Sequence, residues 1–144
     1  MYEELDEYLL GVFTLDYWYD EGFSIARDML EKFNNSDWAK LQTNVLSKPI
    51  DWQVRFAYCT DSGINDDVII NTLTLLSNID NDELFETCVD SLRGIVSTNN
   101  IGLISDNLTI QRIEKLLPKC GVVTRKIFED FIGKLQKMER NSSS

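Results

Sequence analysis

Apolar residues recur along the chain at intervals of three and four, and no stretch alternates apolar and polar residues one for one, so the pattern predicts helices and no strands. Residues 3–10 read as a short helix with Leu5 and Leu9 on one side and Tyr2 beside them, followed by a turn over residues 11–20. Over residues 21–33 a stripe of Phe23, Ile25, Ala26, Met29, Leu30 and Phe33 predicts an amphipathic helix, which Asn34 and Asn35 end. The next helix is expected to be capped by Ser36 or Asp37. It carries Trp38, Leu41, Val45 and Leu46 and stops at Lys48, because Pro49 disfavours helical backbone in the residue before it. Asp51 then reads as the cap of a helix with Trp52, Phe56, Ala57 and Cys59 inward, closed by Gly63.

An Asp-Trp pair therefore stands twice, fourteen residues apart, each time at a helix start. An Asp there complements the helix dipole and accepts from free backbone N–H groups, while Trp covers a large area where helices meet. The pairing predicts two adjacent antiparallel helices.

A second repeat has an offset of sixteen. Asp66, Asp67, Val68, Ile69, Thr72, Leu73 and Leu76 align with Asp82, Glu83, Leu84, Phe85, Cys88, Val89 and Leu92. With only Ile79 and Asp80 between the two copies, the helices must form an antiparallel hairpin. Ser105 or Asp106 can cap a further helix carrying Leu108, Ile110, Ile113, Leu116 and Leu117. Thr124 can cap a last one striped with Ile127, Phe128, Phe131, Ile132, Leu135 and Met138. The expected architecture is all-α, about eight helices in antiparallel pairs forming an irregular HEAT-like α-solenoid. Residues 1–140 make one helical-repeat domain and residues 141–144 a frayed tail.

Charge sharpens this picture. The 144 residues carry 24 acids, 14 bases and no histidine, for a net charge of −10. Residues 1–110 hold −14 and residues 111–144 hold +4. An acidic body repels nucleic-acid phosphates and attracts a basic protein, so no nucleic-acid partner is expected. The N-terminal stretch is acidic where a signal peptide would be basic, and no apolar run approaches the length of a membrane span, so a cytoplasmic protein without a membrane partner is predicted. Three cysteines in apolar contexts, with no C-x-x-C pair, suit a reducing compartment.

Catalytic chemistry is hard to place. Without histidine there is no His-dependent triad and none of the commonest zinc ligands. The carboxylate pairs Asp66/Asp67 and Asp82/Glu83 point different ways from a first helical turn and are explained by capping. The run from Asp80 to Glu83 resembles the start of a calcium loop, but Phe85 takes the place of its required Gly and Ser91 that of its terminal Glu. The glycines are isolated, so no phosphate loop is present. No enzyme, cofactor or metal site is expected. Of Tyr17, Trp18 and Tyr19, at least one must face solvent, since three consecutive rings cannot share one core.

Trp52, Arg55, Ala57 and Tyr58, followed by a helix pair ending in Ser91, Leu92 and Arg93, match a W-x-x-R-x-A-Y helix and a Ser-Leu-Arg ending. Over residues 36–97 the chain thereby resembles the small HEAT-like immunity proteins of bacterial polymorphic-toxin and contact-dependent inhibition systems. The period is irregular and residues 1–35 match no part of that pattern. The resemblance implies a monomer that binds one cognate toxin and neutralises it without catalysis. Where the toxin is a nuclease with a cationic cleft, an acidic surface would occlude it. The contact residues expected from charge and exposure are Asp61, Asn65, Asp66, Asp67, Asp80, Asp82, Glu83 and Glu86, with Tyr17 and Tyr19 as anchors. Two alternatives share the same composition: an acidic helical-repeat scaffold for a peptide or protein, and a DNA-mimic inhibitor of a DNA-processing enzyme.

Overall fold

A computed structural model describes residues 1–104 and 107–142. The described residues are helical, without strands. The α-helices are α1 (Tyr2–Leu9), α2 (Leu15–Tyr17), α3 (Phe23–Glu31), α4 (Asn35–Asn44), α5 (Ile50–Cys59), α6 (Asp66–Leu76), α7 (Asp82–Ile95), α8 (Asn107–Leu116) and α9 (Val122–Ser142). A π-helical turn, Trp18–Gly22, joins α2 to α3, and 3-10 turns span Val45–Ser47 and Ile101–Ile104.

The odd-numbered helices pack in sequence: α1 on α3, α3 on α5, α5 on α7 and α7 on α9. Helix α6 packs on α7. At the centre of the protein, α7 buries Leu84, Phe85, Cys88, Val89 and Leu92. These are the positions aligned with Val68, Ile69, Thr72, Leu73 and Leu76 of α6, of which the last four are fully buried. The connection over residues 77–81 is too short for anything but an antiparallel hairpin, so the sixteen-residue repeat folds as expected. The last helix extends to Ser142, through the first two residues of the expected tail, and Ser143 and Ser144 lie outside the described residues.

The Asp-Trp pairs work differently from their sequence reading. Asn34, expected to end the preceding helix, caps α4. Its side chain accepts from the Asp37 N–H at 2.9 Å and the Asp37 carboxylate accepts from the Asn34 N–H at 3.0 Å, a reciprocal capping box. Asp37 also accepts from the Tyr2 N–H, and these backbone donors hold its carboxyl below the ordinary value. Asp51 makes no capping bond: α5 begins after Pro49, whose fixed φ suits a helix start. Nor do α4 and α5 form a pair; both rest on α1. Trp38 packs edge-on against Phe33, and Trp52 stacks on Phe56 and donates its indole N–H to Asp6 at 3.0 Å.

Two further caps differ from expectation. Asn81 caps α7 by accepting from the Leu84 N–H, whereas its counterpart Asn65 makes no capping bond and Asp66 instead accepts from the Gly63 N–H. Thr124 lies inside the first turn of α9, where its hydroxyl donates to Glu86 at 2.7 Å and ties α9 to α7. Ser105 and Asp106, the expected caps of α8, lie outside the described residues.

The stretch over residues 11–20 departs most. Residues 15–20 of it are helical, with Thr14 accepting from the Tyr17 N–H to start α2. The backbone from Tyr17 through Phe23 keeps right-handed helical angles. The chain from Leu15 to Glu31 is thus one helix with a π turn inserted, and the wider turn breaks the 3.6-residue spacing that marks a helix in sequence.

Candidate functional site: an acidic cleft lined by aromatic rings

The π turn sets the orientation of three consecutive aromatic residues. Trp18 is buried at 4% exposure, Tyr17 is half-buried with its hydroxyl 2.8 Å from that of Tyr8, and Tyr19 keeps 51% of its surface in solvent. Trp18 lies parallel to Phe13 at 5.8 Å, and Tyr58 of α5 meets Trp18, Tyr19 and Phe23 at 6.1, 5.2 and 5.6 Å. With Tyr8 and Tyr17 on the far side of Phe13, seven rings form one connected cluster. Burial and the neighbouring Tyr19 and Asp90 raise the Tyr58 hydroxyl above its ordinary pKa, so it stays a neutral hydroxyl at physiological pH.

This cluster forms one wall of a cleft of about 360 Å³. Phe13, Thr14, Leu15, Trp18 and Tyr19 line it from the N-terminal side, Asp51, Val54, Arg55 and Tyr58 from α5, and Glu83, Glu86, Thr87 and Asp90 from α7. The α7 residues follow the i, i+3, i+4, i+7 spacing of one helix face. A second trough of about 270 Å³ shares Tyr58, Thr87 and Asp90 with the first and continues toward Phe23, Arg27 and Asp61.

Four carboxylates line the larger cleft against one guanidinium. Asp90 pairs with Arg93 at 2.8 Å and Glu86 accepts from Thr124, whereas Asp51 and Glu83 have no partner among the described residues. Arg55 is committed to the fold. One of its terminal nitrogens donates to the carbonyls of Leu9 and Gly11 at 2.8 and 2.7 Å, and its guanidinium lies 4.2 Å above the Phe13 ring. It thereby satisfies the carbonyl end of α1 and anchors the segment that carries the aromatic wall. Arg112 repeats the device at the end of α6, donating to Ser77 and Ile79 with its guanidinium 4.3 Å above Phe85. The Ser91 hydroxyl, in the wall of the adjoining trough, donates to the Ala57 carbonyl and ties α7 to α5.

The residues expected as contacts are dispersed. Glu83, Glu86 and Tyr19 come together in the cleft, and Asp61 lines the adjoining trough, where it pairs with Arg27 at 3.5 Å. Asn65, Asp66 and Asp67 line a separate shallow hollow beside Gly63. Asp80 is exposed in the connection to α7, and Asp82 pairs with Arg112 at 3.2 Å. Tyr17 uses its hydroxyl on Tyr8. Sequence reasoning did not single out Asp51, Tyr58, Thr87 and Asp90 as contacts. For the α7 members the signal was available, as a polar row at helical spacing opposite the buried stripe.

Among the described residues, no three His, Cys, Asp or Glu side chains are grouped so as to hold a metal ion, and no helix is long and apolar enough to cross a membrane. Burial pushes the thiols of Cys59 and Cys88 up to about 12, which removes their thiolate, the nucleophilic form, at neutral pH. No protein-family model, curated protein or solved structure matches the chain.

Proposed function

We propose that the protein is a non-catalytic binding module that captures a basic partner in the acidic aromatic cleft, and that the partner is a bacterial toxin domain, a nuclease, which it neutralises as an immunity protein in a one-to-one complex. The observation that carries this reading is the cleft itself. Asp51 and Glu83 are exposed carboxylates without a partner among the described residues, in the same cleft as the half-exposed ring of Tyr19, and an aromatic anchor that shares a cleft with open acceptors suits the capture of a basic side chain. The surrounding charge, −14 over residues 1–110, would speed encounter with a cationic surface. The HEAT-like reading of the fold is supported by the sequential packing of α3, α5, α7 and α9, with α6 against α7. The continuity of the cleft with the trough beside Phe23 favours a second reading, a scaffold that holds an extended peptide.

The test is to combine the protein with the C-terminal domain encoded by the neighbouring reading frame and to measure both binding and toxicity. The immunity reading expects tight binding that weakens as salt rises and abolishes the toxic activity. A complex that forms without loss of activity, or no complex at all, would overturn it.

A further inference from the structure

The cleft does not stand alone on the surface. Leu10, Val12 and Leu15 lie in the six-residue stretch from the end of α1 to the start of α2; each is more than half exposed, and Val12 and Leu15 reach 103% and 72%. Of the three, Leu15 lines the cleft, so an exposed aliphatic ridge at Leu15 borders the acidic hollow. An exposed aliphatic side chain at the border of a concave site is open to a partner, because solvent exposure is unfavourable for it. Folding uses Phe13 from this stretch in the aromatic cluster and leaves Leu10, Val12 and Leu15 outside.

From the ridge and the cleft together, we infer that the surface is an arginine socket, which receives one guanidinium from an extended basic segment of the partner while an apolar neighbour of that arginine rests on the Leu15 ridge. This inference rests on the reading of the protein as a binding module for a basic partner. A guanidinium fits the chemistry of the walls. Its flat face can lie on the Tyr19 ring while its N–H groups donate to the Asp51 and Glu83 carboxylates, and no other described side chain occupies those acceptors. The protein already packs guanidinium groups on rings at 4.2 and 4.3 Å in Arg55 and Arg112, so this geometry is stable in this setting. The positive charge of Arg55 at the cleft wall does not cancel the preference, since Arg55 donates to the Leu9 and Gly11 carbonyls and the Asp51 and Glu83 carboxylates of the same cleft have no partner among the described residues. The volume, about 360 Å³, lies at the small end of ligand sites and suits a single long side chain.

The experiment is an NMR titration of the full chain, labelled with ¹⁵N, with the blocked tripeptide Leu-Arg-Leu and with Leu-citrulline-Leu, which keeps the shape of arginine and removes its charge. The socket predicts saturable shifts centred on Tyr19, Tyr58 and Thr87, with the arginine peptide binding about tenfold more tightly than the citrulline one. Equal binding of the two peptides, shifts spread over the acidic surface, or no saturation by about 10 mM would overturn it. The two levels of the account fail separately. If the arginine peptide saturates the cleft while the toxin domain is not neutralised, the immunity reading falls and the socket stands. If a Tyr19→Ala, Asp51→Asn, Glu83→Gln variant neutralises the toxin undiminished, the socket falls and the immunity reading stands.

Discussion

Gly22→Ala isolates the packing of the aromatic wall from helix propensity, because the two act in opposite directions. Gly22 closes the π turn with ordinary helical angles, so alanine fits its backbone and should gain about 0.5–1 kcal/mol over glycine. The added Cβ, however, would lie 2.8 Å from Cε3 of Trp18 and 3.3 Å from Cε1 of Tyr17. The indole has little freedom to yield, since it is 4% exposed, parallel to Phe13 and against Tyr58. Overpacking of this kind costs about 1–3 kcal/mol, so the net expectation is a loss of about 1 kcal/mol and a melting temperature lower by about 3 °C. Gly133, within α9, is the control: its added Cβ would meet nothing within 4 Å, and Gly133→Ala should stabilise by about 0.5–1 kcal/mol. Urea unfolding followed by tryptophan fluorescence and circular dichroism measures both variants. If Gly22→Ala proves as stabilising as Gly133→Ala, the claim that Trp18 is held rigidly against the π turn is refuted.

Other consequences can be measured independently. Arg55→Lys replaces a nitrogen shared between two carbonyls and stacked on Phe13 with a single flexible ammonium; it should cost about 1–2 kcal/mol in urea unfolding, and an unchanged midpoint would show that the clamp on α1 is dispensable. Under native conditions iodoacetamide should label Cys120, the partly exposed cysteine, and leave Cys59 and Cys88 untouched; mass spectrometry should find one adduct before and three after unfolding, and a second native adduct would contradict the burial of those thiols. Because the Asp37 carboxyl is held below its ordinary pKa by the Asn34 and Tyr2 N–H groups, its contribution is complete above the unfolded value near 3.8 and is lost as pH falls through the lower folded value. Asp37→Asn should therefore be less stable than the wild type at pH 7 and approach it in acid, whereas a stability gap that persists unchanged to pH 2 would sink that assignment.

The helices legible in the sequence were those whose apolar stripe kept its period. The α6–α7 hairpin is the clearest case, since Ile69, Leu73 and Leu76 match Phe85, Val89 and Leu92 residue for residue and all are buried. The stretch around Tyr17 to Gly22 was illegible because a π turn advances the chain by more than 3.6 residues and moves Trp18 off the expected stripe. Caps were hard to assign for a local reason. Asn34, Asn35, Ser36 and Asp37 can each accept from a free N–H, and the fold uses the reciprocal Asn34–Asp37 pair, with the Tyr2 N–H of α1 donating to the second Asp37 oxygen. The cleft was only half legible: Glu83, Glu86 and Tyr19 could be picked out by charge and aromatic character, but Asp51 and Tyr58 join them only through the packing of α5 on α7. Arg55, read in sequence as part of a W-x-x-R-x-A-Y helix pattern, owes its place to carbonyls more than forty residues away.

The central claim is that the partner reads the cleft and not the diffuse acidity of the surface. The direct measurement is the affinity of the neighbouring frame's basic domain for two variants of equal charge change, Asp51→Lys with Glu83→Lys in the cleft and Asp66→Lys with Asp67→Lys in the hollow beside Gly63. The account predicts a loss of at least about a hundredfold for the cleft pair and less than about tenfold for the other. Equal losses for the two pairs would contradict it.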